Sequence, residues 1–123
     1  GGCCGTFTRC RMLVTGGNGD TYGFRANGGV LQLKTCEIIV YNESNASGES
    51  VGVAVEANKT ENVLIMHGCN LPIRTRGGYK QSETIKVNSG YCSLASNIVG
   101  KAPELYSDDQ SKCANVGTLV VSK

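Results

Sequence analysis

The 123-residue chain has no tryptophan, two prolines, two phenylalanines and a single histidine, His67. Any Ser–His or Cys–His catalytic pair would have to use that one imidazole. Charge of either sign is scarce, with 12 basic against 10 acidic residues. No broad field is therefore available to gather nucleic acid or an anionic membrane surface. No apolar run approaches the about 20 residues of a membrane-spanning helix. Cys-x-x-Cys is missing too, which argues against thioredoxin-like chemistry and, with one histidine, against a zinc knuckle. No cofactor and no metal site is expected.

What the chain does have is 17 glycines and seven cysteines: Cys3, Cys4, Cys10, Cys36, Cys69, Cys92 and Cys113. Cysteines spread through a short chain with no Cys-x-x-Cys suggest a disulfide framework formed in an oxidising compartment, so a secreted, extracellular protein is expected. Seven is odd, so one thiol is left unpaired. Adjacent Cys3 and Cys4 would strain the peptide between them if bridged. They are expected to pin an irregular N-terminal arm, residues 1–10, to two places, or one of them is the unpaired thiol. Cys36–Cys69 is the bridge expected first. Three Asn-x-Ser/Thr triplets, at Asn42, Asn45 and Asn58, fall in polar turn segments where a glycan would be solvated.

The apolar pattern is that of strands. Leu31 and Leu33 alternate with Gln32 and Lys34, and Val51, Val53 and Val55 alternate with Gly52, Ala54 and Glu56. Cys36–Tyr41 is apolar on both faces and reads as a central strand. Val63–Met66, Thr84–Asn88 and Val116–Ser122 read as further strands. Asn18-Gly19 and Asn27-Gly28 are favoured hairpin pairs, so residues 11–34 are expected to form a three-stranded antiparallel meander. Residues 91–99, with Leu94 and Ile98 at i, i+4 and Gly100 after them, are the one helical candidate. The sum is an all-β chain, a disulfide-stapled antiparallel β-sandwich or barrel of about eight short strands with one short helix near 91–99. It forms a single domain over 1–123, with no internal repeat expected.

Thr15-Gly16-Gly17-Asn18-Gly19 resembles the opening of the dinucleotide loop of short-chain dehydrogenases. The third glycine position holds Tyr22 and no helical pattern follows, so a turn is the better reading. Asn18 with Asp20, and Glu104 with Asp108-Asp109, are weak oxygen clusters, better read as solvated turns. Arg74, Arg76, Tyr79 and Lys80 surround the deformable Gly77-Gly78 and form a candidate contact loop, since Arg and Tyr favour interfaces.

In composition alone the chain resembles small secreted cysteine-rich β proteins such as effectors, toxins and lectin-like modules. The expected function is non-enzymatic recognition of a protein or glycan on a host or cell surface through loops. No nucleic acid partner and no membrane insertion is expected, and the protein would be a monomer or a disulfide-linked dimer. One alternative is a structural subunit of a surface layer or filament, cross-linked through the odd cysteine. Another is a small secreted hydrolase or ribonuclease using His67.

Overall fold

Five short stretches share one unusual backbone conformation. Arg9, Thr35, Gly68, Ser96 and Gly117 all have positive φ, at 55°, 54°, 65°, 55° and 65°. Each ends a strand and is followed by a residue that turns inward. Glycine enters this region freely, whereas Arg, Thr and Ser do so at a cost of about 1 kcal/mol or more. These are one corner repeated five times. The corner is stitched by backbone hydrogen bonds, from Arg9 N to Lys34 O, Thr35 N to His67 O, Gly68 N to Ala95 O and Ser96 N to Val116 O, each at 2.9 Å.

The computed structural model describes residues 3–26, 29–48, 50–55, 63–72, 77–82, 85–87, 91–105 and 113–121. No helix occurs among them. The chain winds as a parallel β-helix. Its first turn comprises β1 (Cys3–Thr8), β2 (Arg11–Thr15) and β3 (Thr21–Ala26). The second comprises β4 (Gly29–Lys34), β5 (Glu37–Glu43) and β6 (Ser50–Val55). The third comprises β7 (Val63–His67), β8 (Tyr79–Ser82) and β9 (Ile85–Val87). The fourth comprises β10 (Tyr91–Ala95), β11 (Ile98–Val99) and β12 (Glu104–Leu105), and the fifth β13 (Cys113–Val116) and β14 (Leu119–Val120).

Strands consecutive in the chain lie on different sides, and strands one turn apart pair. One side is a five-stranded sheet in the order β1-β4-β7-β10-β13; another is β12-β9-β6-β3. Every pair in them is parallel. The third side pairs β2 with β5 in parallel and β5 with β8 antiparallel, and it continues as the parallel pair β11 and β14. That exception has a local cause. Asn70 bridges Glu37 and Ile98 in parallel, but Pro72 has no N–H with which to extend the ladder. The next described strand on this side, β8, pairs with β5 in the opposite sense.

Rows of side chains at equivalent register fill the interior. Leu31, Leu64 and Cys92 form one, Leu33, Met66 and Leu94 another, and Phe24, Val53 and Ile85 a third. All are buried in one core with Ile38, Val40, Val87 and Val99. Each fully buried aliphatic side chain stabilises the fold by about 1.5–3 kcal/mol. Close stacking restricts some positions to glycine. A Cβ on Gly23 would lie 2.5 Å from Gly52 O and 2.7 Å from Ile38 Cγ2.

Five expectations are therefore corrected. The chain is not an antiparallel sandwich or barrel, because its strands stack turn upon turn and all but one pair is parallel. Residues 11–34 are not a meander, since β2, β3 and β4 lie on three different sides. Residues 91–99 are not a helix: Cys92 and Leu94 face inward from β10, Ser96 makes the corner, and Asn97 and Val99 face inward after it. Nor is the chain without a repeat, since register partners recur at 26, 33, 28 and 21 residues (Cys3 to Gly29, Val30 to Val63, Val63 to Tyr91, Cys92 to Cys113). The N-terminal arm is likewise no irregular segment, because Cys3–Thr8 is the first strand.

The disulfide framework is corrected as well. Cys10, Cys36, Cys69 and Cys92 are free thiols, the last three buried; the side chains of Cys3, Cys4 and Cys113 lie outside the described residues. Cys36 and Cys69 are neighbours as expected, but as in-register partners on adjacent turns. Parallel neighbours stand about 4.8 Å apart, within the roughly 4.4–6.8 Å that the Cα atoms of a disulfide span, yet both thiols are free.

Candidate binding face

Alternation along the strands sends every second side chain of the five-stranded sheet outward. Register then aligns them in rows across the turns. One row is Thr8, Lys34, His67, Ala95 and Val116; the next is Thr6, Gln32, Ile65, Ser93 and Ala114. Tyr91 lies two residues from Ser93 on the same face and is 46% exposed. The His67 Nε2 and Ser93 Oγ atoms are 3.0 Å apart and share a hydrogen bond. Lys34 is exposed beside them, and Gln32 is half-buried. Adjacent rows and turns are separated by about 5–7 Å. Tyr91, Ser93, Gln32, His67 and Lys34 thus occupy one flat patch of mixed aromatic and polar character.

Chemically, this patch offers an aromatic face, an amide, a hydroxyl, an imidazole and an ammonium. The His67–Ser93 contact is the geometry from which a nucleophile and its base are made. A flat sheet supplies no wall for an oxyanion, and among the described residues no third hydrogen-bonding group is seen orienting the imidazole. An open depression of about 230 Å³ lies elsewhere, between Asn70, Leu71, Pro72, Ile98, Val99 and Val121. Its lining is almost wholly apolar, and it brings no convergent polar groups together.

The residues singled out in the sequence fare unevenly. Arg74 and Arg76 lie outside the described residues, as does the side chain of Lys80. Tyr79 is half-buried, its ring edge-on to Tyr41 with centroids 6.3 Å apart, and so it helps hold β8 against β5. Asn42 is fully buried. Its amide nitrogen donates to Gly19 O at 3.0 Å and Gly48 O at 3.4 Å, tying the loop after β2 to the loop after β5. A glycan on Asn42 is incompatible with this fold, which corrects that expectation. Asn45 sits exposed in a turn, where a glycan would be solvated, and Asn58 lies outside the described residues.

Of the weak oxygen clusters, Asp108 and Asp109 lie outside the described residues, and the described members have internal partners. Asn18 Oδ1 accepts from Ser47 N at 3.0 Å, and Glu104 pairs with Lys86 at 3.4 Å and Lys101 at 3.6 Å. Among the described residues no group of three or more His, Cys, Asp or Glu converges.

One feature escapes a reading of the sequence. Gln32, Ser93 and Tyr91 carry no motif; only register brings them beside His67. Gly48-Glu49-Ser50-Val51-Gly52 does match the nucleophile-elbow pattern Gly-x-Ser-x-Gly. An elbow needs a strand before the serine and a helix after it. Here Ser50 is buried and opens strand β6, so the pattern carries no nucleophile.

No protein-family model matches this chain, and neither the curated proteins nor the solved structures show a significant similarity to it.

Proposed function

We propose that the protein is a non-enzymatic, secreted binding module that recognises a cell-surface glycan on the outer face of its five-stranded sheet. The observation that carries this reading is the exposed Tyr91 on one flat face with the His67–Ser93 pair, Gln32 and Lys34. A sugar ring presents apolar C–H faces and a rim of hydroxyls. Tyrosine supplies the flat apolar surface with a polar tip, and the amide, hydroxyl and imidazole supply donors and acceptors. A shallow, extended face suits an extended polar chain better than a small molecule, which is usually enclosed. With the described thiols free, extracellular placement rests on the exposed Asn45 triplet.

Binding of the folded protein to a panel of immobilised glycans tests this. Tyr91→Ala should weaken binding at least about 10-fold, the loss of an aromatic contact worth about 1.4 kcal/mol. Gln32→Ala should weaken it less. Full binding in Tyr91→Ala, with loss in Arg74→Ala plus Arg76→Ala, would transfer recognition to the loop before β8. The His67–Ser93 contact favours one second reading, ester hydrolysis with Ser93 as nucleophile. A fluorophosphonate label that reaches wild type and misses Ser93→Ala would establish it.

A further inference from the structure

We propose that Cys36 and Cys69 together form a two-coordinate site for a soft monovalent cation, Cu(I) or Ag(I), inside the repeated corner. Three consecutive corners carry cysteine at the inward position after the positive-φ residue. Each thiol donates to the carbonyl two residues before it: Cys10 Sγ to Thr8 O at 3.5 Å, Cys36 Sγ to Lys34 O at 3.4 Å, Cys69 Sγ to His67 O at 3.6 Å. Cys36 and Cys69 also approach the carbonyl of the preceding turn, Phe7 O at 3.5 Å and Leu33 O at 3.4 Å. The same contact repeated three times means the same side-chain rotamer, so the sulfurs stack as a column with the spacing of the turns, about 4.8 Å.

That spacing suits a linear two-sulfur cation site. A metal–thiolate bond of about 2.3 Å makes a linear sulfur–metal–sulfur unit about 4.6 Å long, close to the step of the column. A disulfide, which spans Cα atoms roughly 4.4–6.8 Å apart, fits between neighbouring strands too, so the cation site exists only while both thiols are reduced, as they are here. Zinc seeks four ligands in a tetrahedron, and no third acidic, histidine or cysteine side chain completes such a group among the described residues. Thiolates select Cu(I) among biological cations. On binding, one proton leaves one of the two thiols and the cation takes its place, bonded to that thiolate and to the neutral sulfur of its neighbour. The pair stays uncharged, which avoids the cost of a buried net charge. Cys36 and Cys69 are 3% and 1% exposed, while half-buried Cys10, next in the column, gives a route inward.

The test uses the reduced full chain with Cys3, Cys4, Cys92 and Cys113 changed to Ser, leaving only the column. Titration with Ag(I), or with Cu(I) delivered from a competing chelator, follows the near-ultraviolet thiolate–metal band and the melting temperature. The expected result is one equivalent bound, with at least 10-fold weaker binding in Cys36→Ser or Cys69→Ser and little change in Cys10→Ser. Affinity in the Cys36→Ser or the Cys69→Ser variant equal to that of the unsubstituted column overturns the proposal. X-ray absorption on wild type with one equivalent bound covers variants that fail to fold. Two sulfurs at about 2.2–2.3 Å support the site, and a three-sulfur shell overturns it.

Discussion

The same corner is filled by sulfur in its first three turns and by amide and hydroxyl in the last two. Cys10, Cys36 and Cys69 turn a small, weakly polar group inward, and their backbones bond to the next turn. Asn97, at the fourth corner, does more. Its Oδ1 accepts from Cys69 N at 2.9 Å and its Nδ2 donates to Met66 O at 2.8 Å, both buried. Thr118 follows at the fifth, its hydroxyl donating to Asn115 Oδ1. A cysteine column tolerates a neighbour that shifts slightly, because its hydrogen bonds are long and weak. An inward amide fixes two backbone groups of the turn before it. The first three corners are packed, and the fourth is wired.

The largest expected effect breaks the wired corner. Asn97→Ala leaves Cys69 N and Met66 O buried without partners, at about 1–3 kcal/mol each. It should lower stability by about 2–4 kcal/mol, read as a fall in the denaturant midpoint. Cys69→Ala removes only a small apolar group and should cost about 1–2 kcal/mol. Equal losses from the two substitutions would show that the corners do not differ.

Alkaline pH sharpens the contrast next. Burial, joined by the neighbouring Cys36, pushes the Cys69 thiol up from 9.0 to about 11. The folded state therefore holds this proton where the unfolded chain has released it. This contribution to stability is complete below pH 9 and is lost as pH rises toward 11. Melting temperature of the metal-free protein should fall over that window, and Cys69→Val should flatten the fall.

The smallest effect is a gain. Thr35 and Ser96 hold positive φ without being glycine. Thr35→Gly and Ser96→Gly relieve about 1 kcal/mol of strain, offset by the greater freedom of glycine when unfolded. Each should raise the melting temperature by at most a few degrees. A loss instead would show that the hydroxyl side chains stabilise the corner.

Much of the strand content was legible, and almost none of the pairing. Leu31 and Leu33, Val51 and Val53, and Ile85 and Val87 alternate because one face is buried, and that pattern is the same for parallel and antiparallel neighbours. Cys36–Tyr41 read correctly as buried on both faces. The repeat was hidden because its corners share a backbone conformation rather than residues: Arg9-Cys10, Thr35-Cys36, Gly68-Cys69, Ser96-Asn97 and Gly117-Thr118 have no letter in common throughout. Leu94 and Ile98 imitated a helix because a corner falls between them. The cysteines imitated a disulfide framework for a related reason, since every turn carries at least one and so they run the length of the chain. Of the candidate face only His67 stood out in the sequence, because its companions are brought to it by register from other turns.

The unequal turns have a consequence for how such a chain tolerates change. Residues inserted between two corners alter the length of that turn, as the spacings of 21 to 33 residues already do, yet each corner restarts the winding at the same angular phase. An insertion is thus absorbed within its own turn and leaves the rows above and below in step. The loops between corners are free to vary in length, while the two-residue corner acts as the escapement that keeps the coil in time.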